Sequence, residues 1–305
     1  MISHVKIPIP DNFSFKNCLN FLNRGYDECL YTADKQSVKR LIRLSSGLAM
    51  IEVSADKDNV IISINKTSIN KTSINKSKVN TGDEQECQKY VMDWFDLDRD
   101  IAPFYQLLQN HRQTKNFPEK YHGLRLMGIV DLFEAMCWCV IGQQINLTFA
   151  HKIKSRLVHR FGAKITHDGQ THYCFPSPED LLDVDREELV AMQFSKQKIN
   201  YILNISAAFC SDEINKTALM GLDKPAQMDK MLAIKGIGPW TANYVSMKSL
   251  RDMTCIAYGD TGLSSALHTH FDTDKKPDND TINEIFKPFA GWESYLNFYL
   301  WRSLN

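Results

Sequence analysis

The sequence predicts an α+β N-terminal domain over residues 1–97, followed by an all-α domain over 98–305 that carries a helix-hairpin-helix. Three observations predict it. Apolar residues alternate with polar ones between Ile51 and Ile64, well-marked helix starts follow one another after residue 98, and Gly236-Ile237-Gly238 joins two helical patterns. A chain of 305 residues has room for about two domains.

In the first part, Ile51 and Val53, the turn-forming Asp56-Lys57-Asp58-Asn59, and then Val60, Ile62 and Ile64 describe a β-hairpin with one buried face. A short repeat follows over residues 64–77, with Ile-Asn-Lys-Thr-Ser given twice and Ile-Asn-Lys-Ser once. Its units are too short and polar to stack as a solenoid, so it reads as a solvated extension of the hairpin or a loop, with no function assigned. Beyond residue 98, Asp131 with Glu134 resembles a capping box, and Phe133, Cys137, Val140 and Ile141 form the stripe behind it. Asn146 is placed to cap a helix with the stripe Phe149, Ile153, Leu157 and Phe161. Ser177-Pro178-Glu179-Asp180 is a helix start, and Ser195 is placed to cap the helix of Ile199, Ile202 and Leu203.

Composition narrows the function less than the motifs do. With 43% apolar and 24% charged residues the chain reads as an ordinary globular protein. Its formal charge is zero with a pI near 7.1, which argues against a chain that coats nucleic acid uniformly but leaves room for a basic face. No apolar run approaches the ~20 residues of a membrane helix, and Met1 to Lys6 lacks the apolar core of an export signal, so a cytoplasmic monomer is expected. None of the eight cysteines forms a C-x-x-C, which leaves neither a zinc site nor a disulfide frame in view. Cys137 and Cys139, on either side of Trp138, read as core filler.

The chemistry concentrates between Leu232 and Asp260. A helical pattern over 226–234 stops at Lys235-Gly236-Ile237-Gly238, and Pro239 opens a second helix through Trp240, Tyr244, Met247 and Leu250. The glycines permit positive φ and a close backbone approach, so the free N–H groups and dipole of the second helix suit a phosphate oxygen. Lys235 adds a point charge. Such a grip would position the protein on DNA without choosing a sequence. A lone G-x-G is also simply a tight turn between packed helices.

The surrounding string, Ile234 to Tyr244, resembles the signature of the helix-hairpin-helix DNA glycosylase superfamily. In that family a catalytic aspartate follows the second glycine by roughly twenty residues, and Asp260 stands at that spacing after Gly238. Asp252 comes too early and is expected on an exposed loop. Breaking the base–deoxyribose bond passes through an oxocarbenium-like sugar cation, which an ionised Asp260 would stabilise while orienting or deprotonating the attacking water. A plain N-cap is the other role open to Asp260, and the two are compatible.

Position 240 bears on mechanism. Bifunctional members of the superfamily carry a lysine just before their Thr-Ala-Asn, and here Trp240 precedes Thr241-Ala242-Asn243. The resemblance therefore implies a monofunctional enzyme that uses water. No cysteine follows Cys255, so the iron–sulfur cluster of endonuclease-III-type relatives is not expected. The hairpin carbonyls are a candidate seat for a structural Na+ or K+, with no other metal implied.

Further stretches resemble the bacterial DNA-3-methyladenine glycosylase II family. They are Gly123-Leu124-Arg125 to Gly128 with Asp131-Leu132-Phe133-Glu134, and Gly142-Gln143-Gln144-Ile145-Asn146. The segment Pro288 to Tyr295 matches with Glu293 in place of the usual arginine, and Cys18 to Leu22 resembles the start of the family's TATA-binding-protein-like N-terminal domain. This resemblance implies double-stranded DNA with alkylated purines as substrate, a base flipped out of the stack, and Gln144, or next to it Ile145, filling the gap. The family often has leucine where Gln144 stands. A cationic alkylated ring suits electron-rich faces, at roughly 0.5–2 kcal/mol each. By the same match Trp240, Tyr244 and Trp292 line the pocket and Phe21 closes it, although each of these aromatics also suits a plain core. An 8-oxoguanine-type specificity and a non-catalytic binder of damaged DNA are the alternatives.

Overall fold

The computed structural model describes residues 2–70, 73–76, 78–167 and 169–304. The chain opens with β1 (Ser3–Pro8), α1 (Phe15–Leu22), β2 (Tyr31–Ala33), β3 (Ser37–Leu44), β4 (Gly47–Ala55), β5 (Asn59–Asn70) and β6 (Ser73–Lys76). These strands form one antiparallel sheet in the order β1-β5-β4-β3-β2, and β6 continues the ladder of β5. The expected hairpin is β4–β5, with Val53 opposite Ile62 and Ile51 opposite Ile64. All four side chains are buried, so the alternation did mark the core face. The polar repeat extends this hairpin, Ile69 pairing with Ile74, while residues 71, 72 and 77 of it lie outside the described residues.

Helices follow: α2 (Thr81–Phe95), α3 (Ala102–Gln109), α4 (Phe117–Lys120), α5 (Leu132–Gly142) and α6 (Leu147–Phe161). A two-stranded ribbon, β7 (Lys164–His167) with β8 (Gln170–Tyr173), leads to α7 (Pro178–Leu182), α8 (Arg186–Ala191), α9 (Lys196–Cys210) and α10 (Lys216–Met220). The chain ends with α11 (Lys224–Leu232), α12 (Pro239–Lys248), α13 (Thr261–Phe271), α14 (Asn279–Phe286), a 3-10 turn at Lys287–Phe289, and α15 (Glu293–Arg302).

The expected starts are present: Asn146, Ser177 and Ser195 each accept an amide three residues on, which is worth about 1 kcal/mol per cap. The box at Asp131 is only half made. Asp131 accepts the Glu134 amide at 2.7 Å, but the Glu134 carboxylate turns away to meet Arg40 of β3 at 2.6 Å. A buried arginine needs a charged partner, and that demand outweighs a reciprocal cap. Both side chains are nearly inaccessible, so this pair fastens the sheet to α5.

Two large apolar cores result, beside a small cluster of Leu41, Leu48, Met50 and Cys174. One gathers the sheet, α1, α2 and α3 together with α13, α14 and α15, so the C-terminal helices return to pack with the N-terminal residues. The other holds α5, α6, α9 and the inner face of α12. Trp240 packs against both. Among the described residues no helix is long and apolar enough to cross a membrane.

Candidate active site

A cleft of about 930 Å³ opens where the two cores meet. Phe21, Phe298 and Trp301 reach it from the first core, and Trp138 and Tyr244 from the second. Asp260 lies on its wall as the N-cap of α13, with extended backbone (φ −72°, ψ 128°). Its Oδ1 accepts the Leu263 amide at 2.7 Å and the Trp301 indole Nε1–H at 2.8 Å. The turn before it is fixed from α15, where Asn297 Oδ1 accepts the Ala257 amide at 2.9 Å and Ser294 Oγ accepts that of Cys255 at 3.1 Å. Asp252 differs from expectation. It is partly buried, 3.3 Å from Lys224 Nζ, and its carboxylate caps the Thr254 amide.

The hairpin sits at the edge of the same region. Gly236 has φ +114°, and a Cβ there would come within 2.5 Å of the Tyr201 ring. Gly238 is the N-cap of α12 at φ −101°, a value open to any residue, and a Cβ there would meet nothing within 4 Å. The positive φ expected of the glycines thus rests on Gly236. At Gly238 the space where a side chain would stand is open. Lys235 is exposed beside it. Two hairpin carbonyls are already engaged: Asn204 Nδ2 donates to Lys235 at 3.3 Å and Gln143 Nε2 to Gly236 at 3.4 Å.

Gln143 leads into the turn between α5 and α6. There Gln144 stands exposed with left-handed backbone (φ 57°), while Ile145 leans on the second core. Leu147, at the first turn of α6, is 49% exposed and was not singled out by the sequence. From the other side Lys198 Nζ donates to the Ile141 carbonyl at 2.7 Å.

Of the aromatics read from the sequence, Trp240 and Tyr244 stack in the cleft at 5.4 Å and 29°. Phe21 lines it too, packed edge-on to Phe298 at 4.9 Å and covered by Arg24 at 3.9 Å. Trp292 does not. It is partly buried against the first core, stacked on Phe104 at 5.6 Å and set edge-on to Tyr295 at 5.7 Å. Trp301, on the last turn of α15, faces the cleft and lies 5.9 Å from Tyr244.

Charged groups also line the cleft, none of them marked by a motif. Lys248 is buried, donates to the Met127 carbonyl and lies 5.2 Å from the Phe298 ring; burial, helped by Arg24, pushes it down to about 7. Glu28 accepts from Lys154 at 2.6 Å. His151 stacks on Tyr26 at 4.7 Å and is pushed down to about 4 by burial, with Lys154 adding to the effect. Among the described residues no cluster of His, Cys, Asp and Glu suits a metal ion.

The profile of the HhH-GPD superfamily of base excision DNA repair proteins matches residues 137–290, which span the C-terminal half of α5, the hairpin, α12 and Asp260. The chain belongs to that superfamily. Residues 7–136 match the profile of the 8-oxoguanine DNA glycosylase N-terminal domain. A DNA-3-methyladenine glycosylase of Bacillus subtilis is 35% identical over 302 residues, covering 98% of this chain and 97% of that protein. Among solved structures, a 3-methyladenine DNA-glycosylase from Archaeoglobus fulgidus shares the fold with a TM-score of 0.82 at 18% identity, covering 97% of both chains. An 8-oxoguanine glycosylase/lyase of Clostridium acetobutylicum, solved with double-stranded DNA, does so with a TM-score of 0.74 at 17% identity, covering 99% of this chain and 96% of that one. The α+β-then-helical architecture read from the sequence is therefore that of these glycosylases.

Proposed function

We propose that this protein is a monofunctional DNA glycosylase that flips alkylated purines, 3-methyladenine foremost, out of double-stranded DNA and hydrolyses their N-glycosidic bond. The observation that carries this reading is a carboxylate, Asp260, presented in an aromatic-lined cleft whose position 240 holds a tryptophan. The hairpin amides and Lys235 grip a phosphate, and Gln144 fills the gap left in the stack. The left-handed turn that projects Gln144 supports its choice over Ile145. The cationic base lies against Tyr244 and the other ring faces. As the C1′–N bond breaks, its electron pair neutralises the departing base and the sugar takes up positive charge beside Asp260. Water then attacks C1′ and its proton passes to the carboxylate.

The full-length similarity to the Bacillus subtilis protein supports the substrate class. An 8-oxoguanine specificity has one observation in its favour, the N-terminal profile. Trp240 argues against its lyase form, since an indole cannot form a Schiff base. We further propose that the enzyme acts as a cytoplasmic monomer without a cofactor or an iron–sulfur cluster. The remaining lone pairs of the hairpin carbonyls are where a Na+ or K+ would sit.

Asp260→Asn is expected to bind duplex containing an abasic-site analogue as wild type does and to release no 3-methyladenine from methylated DNA. Release at the wild-type rate refutes the assignment. Borohydride is expected to trap no protein–DNA adduct, and preferential release of 8-oxoguanine would favour the second reading.

A further inference from the structure

Among the described residues, both hydrogen bonds accepted by the Asp260 side chain land on one oxygen, Oδ1. The bond from the Leu263 amide is the one any aspartate makes when it starts a helix. The bond from Trp301 is of another kind. It comes from α15, 41 residues further along the chain, and nothing about helix capping requires it. The contact is also accommodated by the sequence. Gly262 lies in the first turn of α13, and a Cβ there would stand 3.1 Å from Asp260 Oδ1, 3.3 Å from Trp301 Cδ1 and 3.5 Å from Trp301 Nε1. Glycine inside a helix costs about 0.5–1 kcal/mol relative to alanine, and here it leaves the indole room to reach the carboxylate.

We propose that Trp301 is a positioning residue for Asp260, holding Oδ1 so that Oδ2 is the oxygen presented to the sugar and the attacking water. This rests on the reading of Asp260 as the catalytic carboxylate. An indole N–H only donates, so it fixes the carboxylate without competing for the proton that Oδ2 receives. The ring is held in turn by Tyr244 at 5.9 Å, which links the position of the carboxylate to the stack that receives the base. A charge fixed in this way needs no rearrangement when the sugar cation forms, which is where preorganised electrostatics act.

The test compares wild type, Trp301→Phe, Gly262→Ala and Asp260→Asn in single-turnover release of bases from methylated duplex DNA, with enzyme concentration varied. Phenylalanine keeps a ring in the cleft and removes the N–H. Loss of a hydrogen bond to a charged group predicts a maximal rate lowered by about 10- to 100-fold for Trp301→Phe. The half-saturating enzyme concentration and the melting temperature should stay at their wild-type values. Gly262→Ala keeps the indole but crowds it, and should lower the maximal rate in the same direction. Should Trp301→Phe fail to fold, Gly262→Ala decides alone. A Trp301→Phe enzyme with wild-type maximal rate, or one impaired only in half-saturation, overturns the proposal and leaves Trp301 as a stacking surface. If Asp260→Asn itself releases base at the wild-type rate, the catalytic reading has failed and this proposal falls with it, whereas an inactive Asp260→Asn beside a wild-type Trp301→Phe rate overturns this proposal alone.

Discussion

Single residues in this chain answer to neighbours that are distant in sequence. Gly236 is glycine for two reasons at once: its φ of +114° and the Tyr201 ring lying where a Cβ would go. Gly236→Ala should therefore lose about 1–3 kcal/mol of stability from backbone strain alone. Because the same residue shapes the proposed phosphate grip, duplex affinity should fall as well. Urea unfolding and a binding titration on an undamaged duplex check the two effects, and an alanine variant as stable as wild type would contradict them. Trp292 and Trp301 make the converse point. Both lie on or beside α15, yet one is spent on the core against Phe104 and the other reaches the carboxylate.

At the scale of elements, the turn between α5 and α6 is held from three sides. Asn146 caps α6, Gln143 donates to the hairpin carbonyl of Gly236, and Lys198 of α9 donates to Ile141 at the end of α5. A helix leaves its last carbonyls without internal partners, and a lysine is well suited to meet one of them. Lys198 accepts burial for this contact, which pulls its ammonium below its usual range. Lys198→Met should cost about 1–3 kcal/mol, the price of a buried carbonyl left unpaired. It should also slow base release more than it weakens overall duplex binding, since the loosened turn carries the proposed wedge Gln144 but not the hairpin. Single-turnover rates set against binding constants distinguish the two. The α5–α6 turn and its N-cap were legible in the sequence because Gly142 to Asn146 is a local pattern. The lysine that steadies the turn comes from another helix and had no local signal.

Over the whole molecule, the cleft exists because the C-terminal helices fold back onto the N-terminal core while α5 to α12 build a second one. Buried titratable groups lie at this junction, including the Arg40–Glu134 ion pair, the Glu28–Lys154 ion pair and, beside the latter, His151. His151 is kept neutral by burial, at about 4, whereas the unfolded chain has the ordinary value near 6.5. Between those values the unfolded state binds more protons, so stability falls as the pH drops through that window. The contribution is up to about 3 kcal/mol. Melting temperatures of wild type and His151→Gln from pH 7 to pH 4 should converge in steepness only if His151 is not responsible; the variant is expected to show the flatter acid limb. Sequence by itself determined the local features: the β4–β5 hairpin from its alternation and the helix starts at Asn146, Ser177 and Ser195 from their caps, while Asp260 was reached only through the resemblance of the helix-hairpin-helix to the glycosylase signature. The local features are set by interactions within a few residues. Only the tertiary structure decided that Trp301 lines the cleft and Trp292 does not, where the Glu134 carboxylate goes, and that Lys248, Glu28 and His151 line the same cleft as Asp260. Those outcomes depend on contacts between residues far apart in the chain, where burial forces each polar group to find whatever partner the packing brings within reach.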